Sequence, residues 1–129
     1  MKALIIDDSR AMRMLVRKIV TANGFDALEA GNGKEALEIL DAGTVPEVAL
    51  IDWNMPVMNG LEFVNAVRAR PEFRDITLMM VTTESERSQI VRALAAGAHE
   101  YLIKPFTEDA MVAKLSMLGL VPDTGEVPA

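Results

Sequence analysis

The stretch Ala3-Leu4-Ile5-Ile6-Asp7-Asp8 sets an apolar run directly against two carboxylates. A run without polar alternation is typical of a central strand that is covered on both faces. Similar runs lie at Val48–Ile51 and Leu78–Val81, and two further strand candidates lie at Asp26–Ala30 and Tyr101–Ile103. The segment Asp26–Ala30 is more polar than the others, which favours an edge strand.

Helical periodicity separates these strand candidates. Apolar residues recur three or four positions apart in five segments, which are marked by Met12, Leu15, Val16, Ile19 and Val20, by Ala36, Leu37 and Leu40, by Leu61, Val64 and Val67, by Ile90 and Leu94, and by Met111, Leu115 and Leu118. Gly24, Gly43 and Gly97 are placed to end helices, and Thr107 is placed to begin the last one. The alternation predicts an α/β domain of the (βα)5 type, with a doubly wound, five-stranded parallel sheet.

Composition narrows the class of protein. The chain has 129 residues, of which 50% are hydrophobic, and it contains no cysteine. That length supports one domain with its own core, and the lack of cysteine excludes disulfides, thiolate metal sites and a cysteine nucleophile. The net charge of -6 disfavours nucleic-acid binding, which depends on neutralising phosphates. No apolar run is long enough for a signal peptide or a membrane span, so a cytoplasmic protein is expected.

Polar residues follow four of the five strand candidates. Asp7 and Asp8 follow the first, Asp52 the third, Thr82 the fourth and Lys104 the fifth. In a doubly wound sheet the carboxyl ends of parallel strands meet at one edge, where ligands bind at the switch point. Each residue alone has an ordinary explanation as a helix cap, a turn hydroxyl or a surface charge, but their conjunction at one edge favours a functional site. His99, the single histidine, precedes the fifth strand and is expected to lie away from that edge.

The chemistry of this set indicates a metal-assisted phosphoryl transfer. Clustered carboxylates raise one another's pKa unless a cation lies among them. Oxygen ligands without histidine or sulfur suit Mg2+, which shares carboxylates with phosphate oxygens. A lysine opposite the carboxylates adds a second positive charge, and transfer of a phosphoryl group to a carboxylate depends mainly on positioning and charge neutralisation.

Four motifs in order carry a family resemblance. They are Asp7-Asp8-Ser9, Asp52-Trp53-Asn54-Met55-Pro56 with Gly60, Val81-Thr82-Thr83-Glu84, and Tyr101-Leu102-Ile103-Lys104-Pro105-Phe106. The sequence resembles a response-regulator receiver domain of the single-domain chemotaxis (CheY-like) type, which implies the flavodoxin-like strand order 2-1-3-4-5. The resemblance covers residues 2 to about 118, so we expect a receiver domain over residues 1–118 and a flexible tail over residues 119–129.

The resemblance also implies a role for each motif residue. Asp52 would be the phosphoacceptor, and Asp7, Asp8, Asp52 and the backbone carbonyl of Asn54 would hold Mg2+. Lys104 would pair with the phosphoryl group, and the Lys104–Pro105 peptide bond is expected to be cis. Thr82 and Tyr101 would form the switch, with the ring turning inward as the hydroxyl moves to the phosphate. Asn54 and Glu84 would modulate the rate of dephosphorylation.

Under this resemblance the chain is a signalling switch that catalyses only its own phosphorylation and dephosphorylation. The expected phosphodonor is a histidine kinase or a histidine phosphotransfer protein. The expected output is a protein partner that binds the face of the fourth helix, fifth strand and fifth helix, near Arg87, Ile90, Val91 and Lys114, and no nucleic acid or membrane is involved. Chemotaxis is the leading interpretation, although the last helix carries a single lysine, Lys114, where motor-binding relatives tend to carry several.

Other classes fit the pattern less well. A phosphorelay shuttle or another single-domain regulator is the alternative within the family. A phosphatase of the haloacid-dehalogenase kind would place its nucleophilic aspartate after the first strand and its acidic pair late in the chain, the reverse of the order here. A flavodoxin-like FMN carrier would need a phosphate loop where Asp7 and Asp8 stand. A receiver without phosphorylation is disfavoured because every expected site residue is present.

Overall fold

A computed structural model describes residues 1–121. Five strands alternate with five helices, and a short 3-10 helix precedes the fourth strand. Their bounds are β1 Lys2–Ile6, α1 Arg10–Ala22, β2 Asp26–Ala30, α2 Gly33–Asp41, β3 Val48–Ile51, α3 Gly60–Arg68, the 3-10 helix Pro71–Phe73, β4 Thr77–Thr82, α4 Arg87–Ala96, β5 Glu100–Ile103 and α5 Glu108–Met117. The predicted (βα)5 pattern is confirmed.

All strand pairs in the sheet are parallel, and the order is β2-β1-β3-β4-β5. The order implied by the family resemblance and the edge position of β2 are therefore confirmed. The chain leaves β1 toward β2 on one side and later reaches β3 on the other, so the switch point lies between β1 and β3. In that pair Ile6 is the register partner of Ile51, which aligns the carboxyl ends of the two strands.

The core lies in two layers, one on each face of the sheet. One layer packs α2, α3 and α4 against the sheet through residues such as Leu40, Phe63 and Ala93. The other packs α1 and α5 through residues such as Ile19 and Leu115. The apolar runs of β1, β3 and β4 contribute to both layers because alternate side chains point to opposite faces. This double cover explains why the central strands lack polar alternation.

Helix ends follow the sequence signals. The Thr107 side chain accepts a hydrogen bond from the Ala110 N–H at the start of α5, as predicted. Gly97 caps α4 with φ of 123°, a conformation that side chains with a Cβ rarely adopt. None of the helices in residues 1–121 has the length and apolar character needed to cross a membrane.

Two residues that follow α5 belong to the packed core. The packed part of the chain continues past residue 118, since Leu120 and Val121 are 9% and 7% exposed and join the α1–α5 layer. These two apolar residues follow the end of α5, where helical periodicity no longer predicts burial. The rest of the expected tail, residues 122–129, lies outside the described residues.

Candidate functional site

The two central strands bring two aspartates together at the switch point. Asp7 follows the last residue of β1 and Asp52 follows the last residue of β3. The Asp52 N–H donates to the Ile6 carbonyl at 2.9 Å, which continues the β1–β3 ladder to the acidic residue itself. Asp7 and Asp52 are 4% and 8% exposed, so the sheet holds two carboxylates in a largely dry position.

Asp8 and Lys104 complete a cluster of charged groups. Carboxylate oxygens of Asp7, Asp8 and Asp52 lie within 4.8 Å of one another, and Asp8 is the exposed member. Lys104, directly after β5, places its Nζ 2.7 Å from Asp7 Oδ2 and 3.7 Å from Asp52 Oδ2. The Lys104–Pro105 peptide bond is cis, as the resemblance implied. The structure therefore brings together the four charged residues that the sequence placed at this edge.

Burial dominates the electrostatics of Asp52. Desolvation raises the pKa of its carboxyl, and the Asp7 charge adds to that rise. The neighbouring Thr82 hydroxyl, the Lys104 charge and the Trp53 N–H, which donates to Asp52 Oδ1 at 2.9 Å, all oppose it. Because the pKa is raised on balance, the neighbouring charges and hydrogen bonds do not fully offset the cost of burying the ionised Asp52 carboxylate. A further cation would stabilise it.

The donor set fits Mg2+. Three carboxylates and one ammonium carry a net charge of -2 when ionised, which matches a divalent cation. The three residues grouped here all donate oxygen, with no nitrogen or sulfur ligand among them. Asn54, whose backbone carbonyl the family resemblance implied as a further ligand, lies two residues beyond Asp52 in the exposed loop that follows β3.

Thr82 and Tyr101 are linked through the main chain of one residue, Glu84. The Glu84 N–H donates to Thr82 Oγ1 at 3.2 Å, and the Tyr101 hydroxyl donates to the Glu84 carbonyl at 2.6 Å. Thr82 is fully buried and Tyr101 is 7% exposed, so the ring occupies the inward position in this structure. Burial, with the Glu84 and Asp52 charges, raises the pKa of Tyr101 to about 12, so the hydroxyl remains a donor at neutral pH.

The two ends of the loop after Asp52 are held together by a hydrogen bond. Trp53 is buried, and its carbonyl accepts the Gly60 N–H at 2.9 Å. Asn59 and Glu62 form a reciprocal capping box at the start of α3. Val57 has φ of 69°, which is strained for a β-branched residue, and no local signal in the sequence predicted it.

One detail of the site differs from the sequence prediction, and one contact was not predicted. Thr82 is the last residue of β4 rather than a residue after it, and it pairs in register with Ile103. The sequence did not single out Arg13, whose guanidinium donates to the Asp7 carbonyl at 2.6 Å. An arginine on α1 gives no signal of its own, because only the fold brings it back to β1.

His99 lies at the amino end of β5, away from the carboxylates, as predicted. Its Nδ1 accepts the Leu78 N–H at 3.1 Å and lies 3.3 Å from Arg68 Nη2. Burial and the Arg68 charge lower the pKa of His99. This histidine therefore joins β4, α3 and β5 at the opposite edge of the sheet.

Comparisons with known proteins identify the family to which the chain belongs. The family model of the response regulator receiver domain matches residues 3–116. The chain is 43% identical over 119 residues to chemotaxis protein CheY1 of Helicobacter pylori, covering 92% of this chain and 96% of that one. It is 43% identical over 116 residues to a chemotaxis protein CheY homolog of Campylobacter jejuni, covering 89% of each. The solved structure of chemotaxis protein CheY4 of Vibrio cholerae superposes with a TM-score of 0.83 at 34% identity, over 90% of this chain and 96% of that one. The chain belongs to the response-regulator receiver domain family and is of the CheY-like chemotaxis type.

Proposed function

We propose that this receiver accepts a phosphoryl group on Asp52 from a histidine kinase or a histidine phosphotransfer protein, and that the modification switches a protein-binding face in chemotaxis signalling. The observation that carries the proposal is the cluster of Asp7, Asp8 and Asp52 with Lys104 at the switch point of the sheet. A net negative cluster with one facing ammonium suits a divalent cation and a phosphoryl group together.

The two oxygens of Asp52 have different surroundings. Oδ1 accepts the Trp53 N–H at 2.9 Å, whereas Oδ2 faces Lys104 Nζ at 3.7 Å. Oδ2 is therefore the oxygen that attacks phosphorus in line with the leaving imidazole of the phosphohistidine. A P–O bond to Asp52 forms as the P–N bond breaks, and the imidazole nitrogen takes a proton from solvent. Lys104 then has a phosphoryl oxygen to pair with in addition to Asp7.

Asp7, Asp8, Asp52 and the Asn54 carbonyl would hold Mg2+ in this proposal. When bound, the ion neutralises charge on the phosphoryl oxygens during transfer. Asn54 and Glu84, which follow β3 and β4 at the same edge, would control how hydrolytic water reaches the acyl phosphate. Asn54 is exposed and Glu84 is half-buried, so both are accessible from that edge.

The main chain of Glu84 offers a path from the phosphate to the surface. If Thr82 Oγ1 turns fully to a phosphoryl oxygen, the Glu84 N–H loses its acceptor and the β4–α4 loop is free to shift. The carbonyl of the same residue holds the Tyr101 hydroxyl, so the loop and the ring move together. The phosphoryl group carries a charge of roughly -1.5 to -2, which replaces the single negative charge of the Asp52 carboxylate. This change in charge biases the bistable pair of Thr82 and Tyr101.

The proposed output face consists of α4, β5 and α5 around Tyr101. Val91 is 56% exposed, Arg87 is exposed and Ile90 is half-buried, so the face offers apolar surface beside a positive charge. Lys114 lies on the same face, where its Nζ is 3.1 Å from Glu100 Oε1. This pairing neutralises the single lysine of α5, so we expect apolar contacts at α4 to contribute more to partner binding than charge at α5.

Beryllofluoride, a phosphoryl mimic, tests the proposal by NMR. Mg2+ alone should shift the amide signals of Asp7, Asp8 and Asp52, and Mg2+ with beryllofluoride should also shift signals around Tyr101 and α4. A protein whose acidic cluster gives no response to Mg2+ would refute the proposed site. Shifts that stay at the Asp52 edge would refute the proposed switch.

Thr82→Ala should separate phosphorylation from switching. The variant keeps the carboxylates and Lys104, so beryllofluoride should still shift the amide signal of Asp52. Most of the shift in the signals of Tyr101 and α4 should be lost. Moving the switch from a 1:99 to a 99:1 ratio of active to inactive states needs about 5.5 kcal/mol. A hydrogen bond to a charged group contributes about 1.5 to 3 kcal/mol. Thr82 therefore supplies part of the change, and partner binding supplies the rest.

The exposed neighbour Thr83 provides the matched control. Thr83→Ala makes the same chemical change one position along and should preserve the response at Tyr101. A Thr82→Ala protein in which beryllofluoride shifts the signals of both Asp52 and Tyr101 as much as in the parent would contradict the role of Thr82.

A further inference from the structure

Arg13 connects α1 to the main chain of the acidic loop. Its Nη1 donates to the Asp7 carbonyl at 2.6 Å, and its Nε donates to Glu29 Oε1 of β2 at 3.0 Å. The side chain is 19% exposed, so these bonds form with little competition from water. One planar guanidinium thereby spans α1, the end of β1 and β2, a geometry that the fork of arginine donors allows.

The Asp7 carbonyl belongs to the peptide that links Asp7 to Asp8. The Asp7 N–H donates to the Ala30 carbonyl at 3.1 Å, and Asp7 Oδ1 accepts the Ser9 N–H at 2.8 Å. With Arg13 on the carbonyl, both ends of the Asp7 main chain and its carboxylate are fixed. The direction of that peptide determines where the exposed Asp8 carboxylate starts, because Asp8 Cα lies at its far end.

We infer that Arg13 is a positioning residue for the cation site, acting through the Asp7 carbonyl and held by Glu29. The inference rests on the proposed function, since it assumes that Asp7, Asp8 and Asp52 bind Mg2+. Arg13 touches neither the phosphoryl group nor the reacting oxygen in this assignment. It orients two of the carboxylates, as outer-shell partners do in metal sites, where their loss typically lowers metal affinity by about 10- to 100-fold.

Coulomb forces alone predict the opposite effect. A guanidinium close to the acidic cluster repels a bound cation, so removing its charge should strengthen Mg2+ binding. Loss of a positioning contact should weaken it. The sign of the change in Mg2+ affinity therefore distinguishes the two roles.

Arg17 provides a matched control on the same helix. Its Nη1 pairs with Glu29 Oε2 at 2.8 Å, and its side chain is 49% exposed. Arg13 and Arg17 thus share the partner Glu29, but Arg13 also bonds to the Asp7 carbonyl. Replacing either with methionine removes one positive charge and one ion pair to Glu29, and methionine preserves helix propensity.

The test is isothermal titration calorimetry, in which Mg2+ is titrated into the parent, Arg13→Met, Arg17→Met and Arg13→Lys proteins. Urea unfolding compares the stability of the four proteins. We expect the dissociation constant for Mg2+ to rise about tenfold in Arg13→Met and to stay within about twofold of the parent in Arg17→Met. Arg13→Lys keeps the charge without the fork, so its affinity should fall between the parent and Arg13→Met. If Arg13→Met does not fold, the comparison of Arg13→Lys with the parent decides, and equal affinity overturns the inference.

Each other result has a defined meaning. Equal weakening in Arg13→Met and Arg17→Met would overturn the inference, because the shared Glu29 pair would then be responsible. Unchanged or tighter Mg2+ binding by Arg13→Met would overturn it in favour of simple repulsion. A parent protein that binds no Mg2+ would overturn the proposed function itself. If the parent binds Mg2+ and Arg13→Met binds it with the same affinity, the inference about Arg13 fails but the proposed function is unaffected.

Discussion

Asp52→Asn should abolish labelling of the protein by acetyl phosphate and Mg2+. The parent should form an acyl phosphate that hydroxylamine releases, because a carboxylate oxygen attacks phosphorus. The amide of the variant keeps the shape of the side chain but loses the nucleophilic oxygen, so labelling at position 52 should vanish. Radiolabel incorporation followed by peptide mapping measures this directly.

Asp75→Asn is the control for the labelling experiment. Asp75 is exposed and precedes β4, at the opposite edge of the sheet from Asp52. This variant should label like the parent. Labelling of Asp52→Asn at position 52 to the parent extent would sink the assignment of the phosphoacceptor, and label mapped to another residue of the parent would do the same.

Asp52→Asn should also stabilise the folded protein in the absence of Mg2+. Burial raises the pKa of Asp52 above its usual value of 3.8, so the folded protein holds this proton more tightly than the unfolded chain does. The charged carboxylate therefore costs stability above its folded pKa, and the cost disappears as the pH falls toward 3.8.

Urea unfolding should accordingly show Asp52→Asn with the higher free energy of unfolding at pH 7 and with a shrinking advantage in acid. Mg2+ should stabilise the parent by about 2.7 kcal/mol at a concentration 100 times the dissociation constant of the parent, and it should stabilise the variant by less. A variant less stable than the parent at neutral pH without Mg2+ would contradict this account of the electrostatics.

The sequence predicted the architecture because its signals were local and redundant. Uninterrupted apolar runs such as Val48–Ile51 can only be satisfied by cover on both faces, and the structure supplies it. The site was predictable for a related reason. Asp7, Asp52 and Lys104 each follow a strand directly, and parallel strands place such residues at one edge whatever the helices do.

Contacts that cross between elements were not predictable in this way. The Arg13 bond to the Asp7 carbonyl depends on how α1 turns back over β1, and helical periodicity fixes which face is buried but not what a long polar side chain reaches. Similarly, Thr82 was placed after β4 because apolar character ends at Val81, yet the ladder with β5 continues through Thr82. The main-chain pairing of β4 with β5 therefore extends one residue beyond the apolar run.

Gly60→Ala should disrupt both the fold and the site. A Cβ at Gly60 would overlap the Asp52 carbonyl oxygen and lie 3.0 Å from the Asp52 carbonyl carbon and from Trp53 Cα, all of them backbone atoms. The Asp52 N–H is tied to the β1–β3 ladder, and Gly60 opens a capped helix, so neither side can move freely.

Because overpacking against backbone costs about 1 to 3 kcal/mol or more, we expect a loss of at least that size in the free energy of unfolding. Relief of the clash would displace the Asp52 main chain from its present position in the acidic cluster, so Mg2+ affinity should fall as well. Gly31→Ala is the control, since the nearest atom to its Cβ would be the flexible Glu35 carboxylate at 3.6 Å. Urea unfolding and Mg2+ titration followed by Trp53 fluorescence measure the two effects. A Gly60→Ala protein with the stability and Mg2+ affinity of Gly31→Ala would show that the close approach of α3 to Asp52 does not hold Asp52 in place.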